Sequence, residues 1–164
     1  MRPAPSRRLA AIALALVFGL AACGKETGDD DKGEDEAHER AEEELTAFEV
    51  EHGIGPVKEA ITLGPVDPAM AGRGKATFEG KCSACHKLDT TYVGPALGEV
   101  TGRRTPAFVM NMILNPQEMV ERHPVAKQML AERMTFMANQ GLTVTEAREV
   151  VEYLRTQSKS APRQ

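Results

Sequence analysis

Four stretches from Gly74 onward are compatible with helices, and no stretch shows a convincing strand alternation. In "GLTVTEAREVVEYLRT", Thr143 and Glu146 stand at capping-box spacing, and Ala147, Val150, Val151 and Leu154 form an apolar stripe beside Tyr153. That pattern predicts an amphipathic helix with a defined start. In "GRRTPAFVMNMILNPQEM", Thr105 is placed to cap, Pro106 falls in the first turn and Asn115-Pro116 stops the helix. Phe108, Met112 and Ile113 then face inward. Upstream, Gly74, Phe78 and Cys82 recur every fourth residue on one helical face. Gly74 has no side chain, so a second helix can approach closely there. A shorter helix is expected from Pro124 to Glu132, and the fold class is all-α.

The N-terminal region follows another pattern. "MRPAPSRRLAAIALALVFGLAAC" has a basic start (Arg2, Arg7, Arg8), an apolar run from Leu9 to Leu20 and then small residues. This is the form of a secretory signal, too short for a membrane span, which needs about 20 apolar residues. The Arg7-Arg8 pair also admits a twin-arginine route, used by proteins folded before export. The ending "LAAC" resembles a bacterial lipobox, at which Cys23 becomes the lipid-modified first residue. Each buried CH₂ adds about 0.8 kcal/mol of membrane affinity, so two or more acyl chains on Cys23 would hold the protein stably.

From Gly24 to Glu51 there are 13 acidic and three basic residues. Such a segment buries too little apolar surface to offset its ordering entropy and reads as a solvated spacer. A marginal helix from Glu36 to Glu51 is supported by Ala37, Ala41, Leu45 and Phe48. His38 and His52 beside these carboxylates read as parts of a solvated charge run rather than as metal ligands. The net charge of −4 hides this division, since the signal is +3, the acidic stretch −10 and residues 52–164 again +3. The mild positive charge of the last part can steer an acidic partner or engage the chain's own linker. With no basic cluster, nucleic acid is not an expected partner.

Candidate chemistry centres on "GKCSACHKLD", in a chain with three cysteines and no Trp. Cys82, Cys85 and His86 spell C-x-x-C-H. Zinc would want a fourth ligand at short spacing, and the only later histidine, His123, has no cysteine nearby. A thioredoxin-like dithiol would start a helix in a βαβ pattern, whereas this pair follows a helical segment, so redox exchange ranks second. C-x-x-C-H is also the attachment signature of a covalent haem, with the thiols as thioethers and the adjacent imidazole as proximal ligand. With Cys23 lipidated, that use leaves no free thiol.

The order "GKATFEGKCSACH", "VGPALGEV", a helix ending "NP", a Met-rich loop and "GLT...EYL" resembles a class I cytochrome c over about residues 69 to 157. The resemblance implies a small all-α fold whose first and last helices cross beside one covalently bound haem c, with Gly74 and Phe78 against Tyr153. It implies that the Pro95 carbonyl accepts a hydrogen bond from His86, orienting the ligand. It places the second iron ligand in the loop before the last helix, at Met137 or, as runner-up, Met134. Neither is followed by the family's usual Pro. His123 is an outside candidate for a bis-His site. Met110, Met112, Met119 and Met129 read as packing around a bulky cofactor. Arg103 and Arg104 are the expected partners of the haem propionates, with Tyr92 as a further donor.

The expected organisation is a lipoprotein signal at 1–22, an acidic, largely disordered linker at 23–67, a haem domain at 68–158 and a tail at 159–164. The expected function is a membrane-tethered electron carrier on the extracytoplasmic side, not an enzyme. Its expected partners are respiratory redox proteins, with a terminal oxidase or a nitrogen-oxide reductase as acceptor by analogy. A haem-based gas binder with a labile sixth ligand is the alternative, and a haem-free thiol-disulfide oxidoreductase is a further rival.

Overall fold

In the computed structural model, residues 44–159 and 162 are described, and they form seven helices with no strand. The signal and Cys23 lie outside the described residues, as do positions 24–43 of the acidic stretch and most of the C-terminal tail. No described helix is long and apolar enough to cross a membrane.

Helix α1 (Ala47–His52) is followed by an extended strap to α2 (Pro68–Lys81). After a long loop come α3 (Val100–Arg103), α4 (Pro106–Leu114), α5 (Pro116–Arg122), α6 (Pro124–Arg133) and α7 (Val144–Gln157). The local signals act where the sequence puts them. Thr105 Oγ1 accepts from Phe108 N–H at the start of α4, and Thr143 and Glu146 close a full capping box on α7. Asn115 ends α4, but Pro116 at once opens α5, because proline at a first helical position has no amide to leave unpaired.

Helices α2 and α7 cross at Gly74. A Cβ built on Gly74 would lie 1.9 Å from the Glu149 carbonyl oxygen, so the two backbones touch there. Next to the crossing, Phe78 and Tyr153 stack tilted at 5.4 Å between centroids. Burying a side chain the size of Phe78 contributes roughly 1.5–3 kcal/mol. Ala147, Val150, Val151 and Leu154 are all buried, as the stripe predicts. On the polar side of the crossing, Arg73 Nε meets Glu149 Oε1 at 2.6 Å. Glu152 is buried; burial pushes its pKa up, but hydrogen bonds from Arg155, Arg148 and the Asp67 amide outweigh that and hold it below the usual carboxylate value.

Part of the stretch expected as linker, residues 44–67, is described and is not solvated chain. From Leu45 onward the expected spacer is packed onto α4, α5 and α6. The capping box of Thr46 and Glu49 starts α1; of the helix expected from Glu36 to Glu51, residues 36–43 lie outside the described residues. Ile54 is 2% exposed and packs with Phe108, Met119, Val120 and Ala126. Asn111, in α4, binds the strap through both ends of its amide. Its Oδ1 accepts from Val57 N–H at 3.0 Å, and its Nδ2 donates to the carbonyls of His52, Gly53 and Val57. A few buried apolar side chains and one satisfied amide thus order a segment whose composition favours solvation.

His123 is a second clasp. It is fully buried, Nε2 donates to the Val50 carbonyl at 3.1 Å and Nδ1 accepts from Val125 N–H at 3.2 Å. These partners require the neutral ring with its proton on Nε2. Burial lowers its pKa from the ordinary 6.5, against the opposing pull of the Val50 and Glu49 backbone. Between the two values the unfolded chain binds more protons, so this contribution to stability is complete above 6.5 and is lost as pH falls through the folded value. Thermal unfolding is expected at lower temperature in mild acid, with a weaker acid dependence in His123→Gln. Equal acid dependence in both proteins would remove this role.

Candidate functional site

The chain leaves α2 in a tight turn that assembles the C-x-x-C-H group. Cys82 N–H donates to the Phe78 carbonyl and ends the helix, and the amides of Cys85 and His86 both return to the Cys82 carbonyl, at 3.1 and 2.9 Å. The loop beyond is pinned to this turn by Gly94 N–H to the Cys85 carbonyl, Leu97 N–H to the Lys87 carbonyl and Gly98 N–H to the Leu88 carbonyl. Both thiols and the imidazole are therefore positioned by backbone hydrogen bonds.

His86 Nδ1 lies 3.0 Å from the Pro95 carbonyl oxygen. A carbonyl only accepts, so Nδ1 carries the proton and Nε2 keeps its lone pair for a metal. Gly94 lies against the imidazole, where a Cβ would come within 2.3 Å of Cε1. Ring orientation is thus set by one hydrogen bond and one close backbone contact.

Cys82, Cys85, His86, Pro95, Arg103, Arg104 and Met137 all line one cavity of about 330 Å³. Phe78, Val150 and Leu154 reach it from the crossed helices, and Val109, Met112 and Ile113 from α4. The expected Met packing divides: Met112 and Met129 line the cavity, whereas Met110 and Met119 are buried in the core. The donor set suits a haem. Two thiols stand beside an imidazole whose Nε2 keeps its lone pair, Met137 lines the same space, the walls are mostly apolar and two guanidiniums, a charge that suits carboxylates, are part of the lining.

The two methionine candidates separate. Met137 is partly buried against the main core and lines the cavity. Met134 caps α6 in a left-handed conformation with φ 54°, is 87% exposed and lines an adjoining surface groove, not the cavity itself. Two further candidates are placed away from the cavity. His123 is used by the strap and is not among the cavity-lining residues, and Tyr92 is 61% exposed, under Lys87, and also outside the lining. His52 contacts Thr105 Oγ1 at 2.9 Å and stacks on Phe48, a structural role. Among the described residues, no group of three His, Cys, Asp or Glu could hold a metal ion by itself.

Arg103 Nη2 donates to the Ala96 carbonyl at 3.0 Å, and the Arg104 guanidinium lies over the Phe108 ring at 5.1 Å. Lys81, Arg133, Phe136 and Gln140 also line the cavity and were not anticipated from the sequence. They come from the end of α2, the end of α6 and the Met loop, and no short motif marks them. For the strap, the overlooked signal is Thr46-x-x-Glu49, a capping box directly after the charge run.

Burial, aided by the neighbouring Cys85, pushes the Cys82 thiol up from its ordinary pKa. A disulfide-exchange nucleophile needs the opposite shift, and the pair sits at the C-terminal end of a helix, whose dipole opposes a thiolate.

Comparison with known proteins agrees with this geometry. The cytochrome c family matches residues 71–158. The chain is similar to cytochrome c from Rhodothermus marinus, with 44% identity and a TM-score of 0.64, covering 68% of this chain and 96% of that one. It is 51% identical to cytochrome c-551 of Stutzerimonas stutzeri over 39 residues, 23% of this chain and 38% of that protein. It is 40% identical to cytochrome c2 of Rhodopseudomonas palustris over 45 residues, 27% of this chain and 32% of that protein. The aligned stretches thus span less than two thirds of these curated relatives. The chain belongs to the cytochrome c family, and its cofactor is a covalently bound haem c.

Proposed function

We propose that this protein is a membrane-tethered monohaem electron carrier that works outside the cytoplasm between respiratory redox proteins. The observation that carries the proposal is the placing of the His86 imidazole, oriented by the Pro95 carbonyl, and of the Met137 side chain in one apolar cavity. Cys82 and Cys85 are the thioether positions, His86 the proximal ligand and Met137 the second ligand. When bound, the haem supplies a one-electron ferric/ferrous couple, whose potential a His/Met pair raises. The protein's part is to hold both ligands in place and to keep water from the iron with Val109, Ile113, Val150 and Leu154. Arg103 and Arg104 offer charge-assisted donors to the propionates.

A carrier is favoured over an enzyme because, among the described residues, no carboxylate lines the cavity to pair with a base for proton transfer. The redox-exchange rival is disfavoured by the raised Cys82 pKa. The tether and the location rest on the sequence of residues 1–23, with Cys23 as the lipid site. Cys23→Ala is expected to move the protein from the membrane fraction to the soluble one, and continued membrane binding would refute the anchor. The test of the carrier reading is the absorption spectrum of the reduced protein with and without carbon monoxide. A c-type spectrum unmoved by the gas is expected. A shifted spectrum would show an exchangeable sixth position and favour gas binding.

A further inference from the structure

The loop that carries Met137 has little regular structure to hold it. Residues 134–143 form neither helix nor strand, and Met134, Thr135, Phe136, Ala138 and Asn139 are exposed around the half-buried Met137. Ala138 lacks the ring by which a proline would fix the backbone after Met137. Met137 and Leu142 pack against the main core, and Asn139 stands between them in sequence.

Among the described residues, two hydrogen bonds join residues 135–142 to distant parts of the chain, 25 and 59 positions away. The weaker runs from Lys81 Nζ, at the end of a long side chain, to the Gln140 carbonyl at 3.4 Å. The stronger comes from the loop itself, where Asn139 Nδ2 donates to the Leu114 carbonyl at 3.1 Å. Leu114 is the last residue of α4, and the final carbonyls of a helix have no partner within it. The other end of the same amide accepts from Gly141 N–H at 2.8 Å. That bond closes the turn an asparagine makes with the backbone two residues on. Gly141 has φ 65°, the left-handed region open to glycine.

We infer that Asn139 is a positioning residue for the iron ligand, keeping Met137 in the cavity by tying its loop to the end of α4. The inference rests on the reading of Met137 as the second ligand. Met112 and Ile113, the two residues before Leu114, line the cavity. One amide thus joins the loop that presents the thioether to the helix that walls the same space. The two bonds need a donor and an acceptor on one short side chain. Aspartate keeps the acceptor but loses the donor, and alanine loses both. Because Asn139 is exposed, its loss leaves the core intact and raises the population in which the loop has carried Met137 out of the cavity.

The test is the binding of imidazole to the oxidised holoprotein, followed by absorbance. It compares the wild type with Asn139→Ala, Asn139→Asp, Met137→Ala and the variant that combines Asn139→Ala with Met137→Ala. An added ligand binds only molecules whose loop is open, so its apparent affinity reports the open fraction. Asn139→Ala and Asn139→Asp both lose the Leu114 bond, and each is expected to bind imidazole about fivefold more tightly than the wild type, the factor for one hydrogen bond of typical net strength. Met137→Ala should bind it more tightly still, and adding Asn139→Ala to that variant should change nothing, because Asn139 acts through Met137. Wild-type affinity in either Asn139 variant would overturn the inference. So would a fivefold effect that persists in the Met137→Ala background, which would mean a general loosening of the pocket. Equal affinity in the wild type and Met137→Ala would remove Met137 as the ligand and the inference with it, an outcome separate from failure of the Asn139 tie.

Discussion

Met137→Ala is expected to convert a reduced protein that ignores carbon monoxide into one that binds it fully, with a lower reduction potential, while Met134→Ala changes neither property. The two residues lie in the same loop region, three positions apart, and neither is followed by proline. What separates them is burial. Met137 packs against the core and lines the cavity, whereas Met134 is held outward by the left-handed backbone that ends α6. A thioether is a soft ligand that favours reduced iron, so its removal both frees a coordination position and lowers the potential. The measurement is the spectrum of each reduced variant with and without the gas, together with a redox titration. Gas binding by Met134→Ala but not Met137→Ala would reverse the assignment.

The second large effect concerns two glycines on one helix. Gly74→Ala is expected to destabilise the protein by about 3 kcal/mol or more, at or above the upper end of overpacking costs, because the new Cβ would meet the Glu149 backbone at 1.9 Å. Backbone cannot swing aside as a flexible side chain can, so α2 and α7 must separate and loosen the Phe78–Tyr153 contact. Gly72→Ala, two residues away, has nothing within 4 Å of the added carbon. There the gain in helix propensity, up to about 1 kcal/mol, should act unopposed. Opposite shifts in thermal midpoint are the expected result, and a shared sign would mean that the helices do not cross closely at Gly74.

The Gly74 variant also bears on the cavity, since Phe78, Val150 and Leu154 belong at once to the crossing and to its wall. Weakening the crossing should therefore loosen the haem pocket even though Gly74 does not line it. Asn111 stands in a similar relation on the other side. It clamps the strap to α4, while Val109, Met112 and Ile113 of the same helix face the cavity.

What was legible without coordinates was local. Thr105 with Pro106 and Thr143 with Glu146 start their helices because capping joins groups only two or three residues apart. The Gly74, Phe78 and Cys82 face and the Val150, Val151 and Leu154 stripe follow from helical periodicity alone. C-x-x-C-H places two thiols and an imidazole together because the turn that does so is five residues long. The choice between Met137 and Met134, the use of His123 as a clasp and the docking of the strap are different in kind. Asn111 meets Val57 from 54 residues away, and His123 meets Val50 from 73, so no local pattern records either contact. Ile54 and Val57 sit near a run of charge whose composition favours solvation, and only the surface of α4 and α5 supplies the burial that orders them. The sequence alone determined the starts of α4 and α7, the face that α2 turns to the crossing and the grouping of Cys82, Cys85 and His86. The tertiary structure decided which methionine reaches the cavity and where the packed chain begins, because both depend on burial between elements distant along the chain.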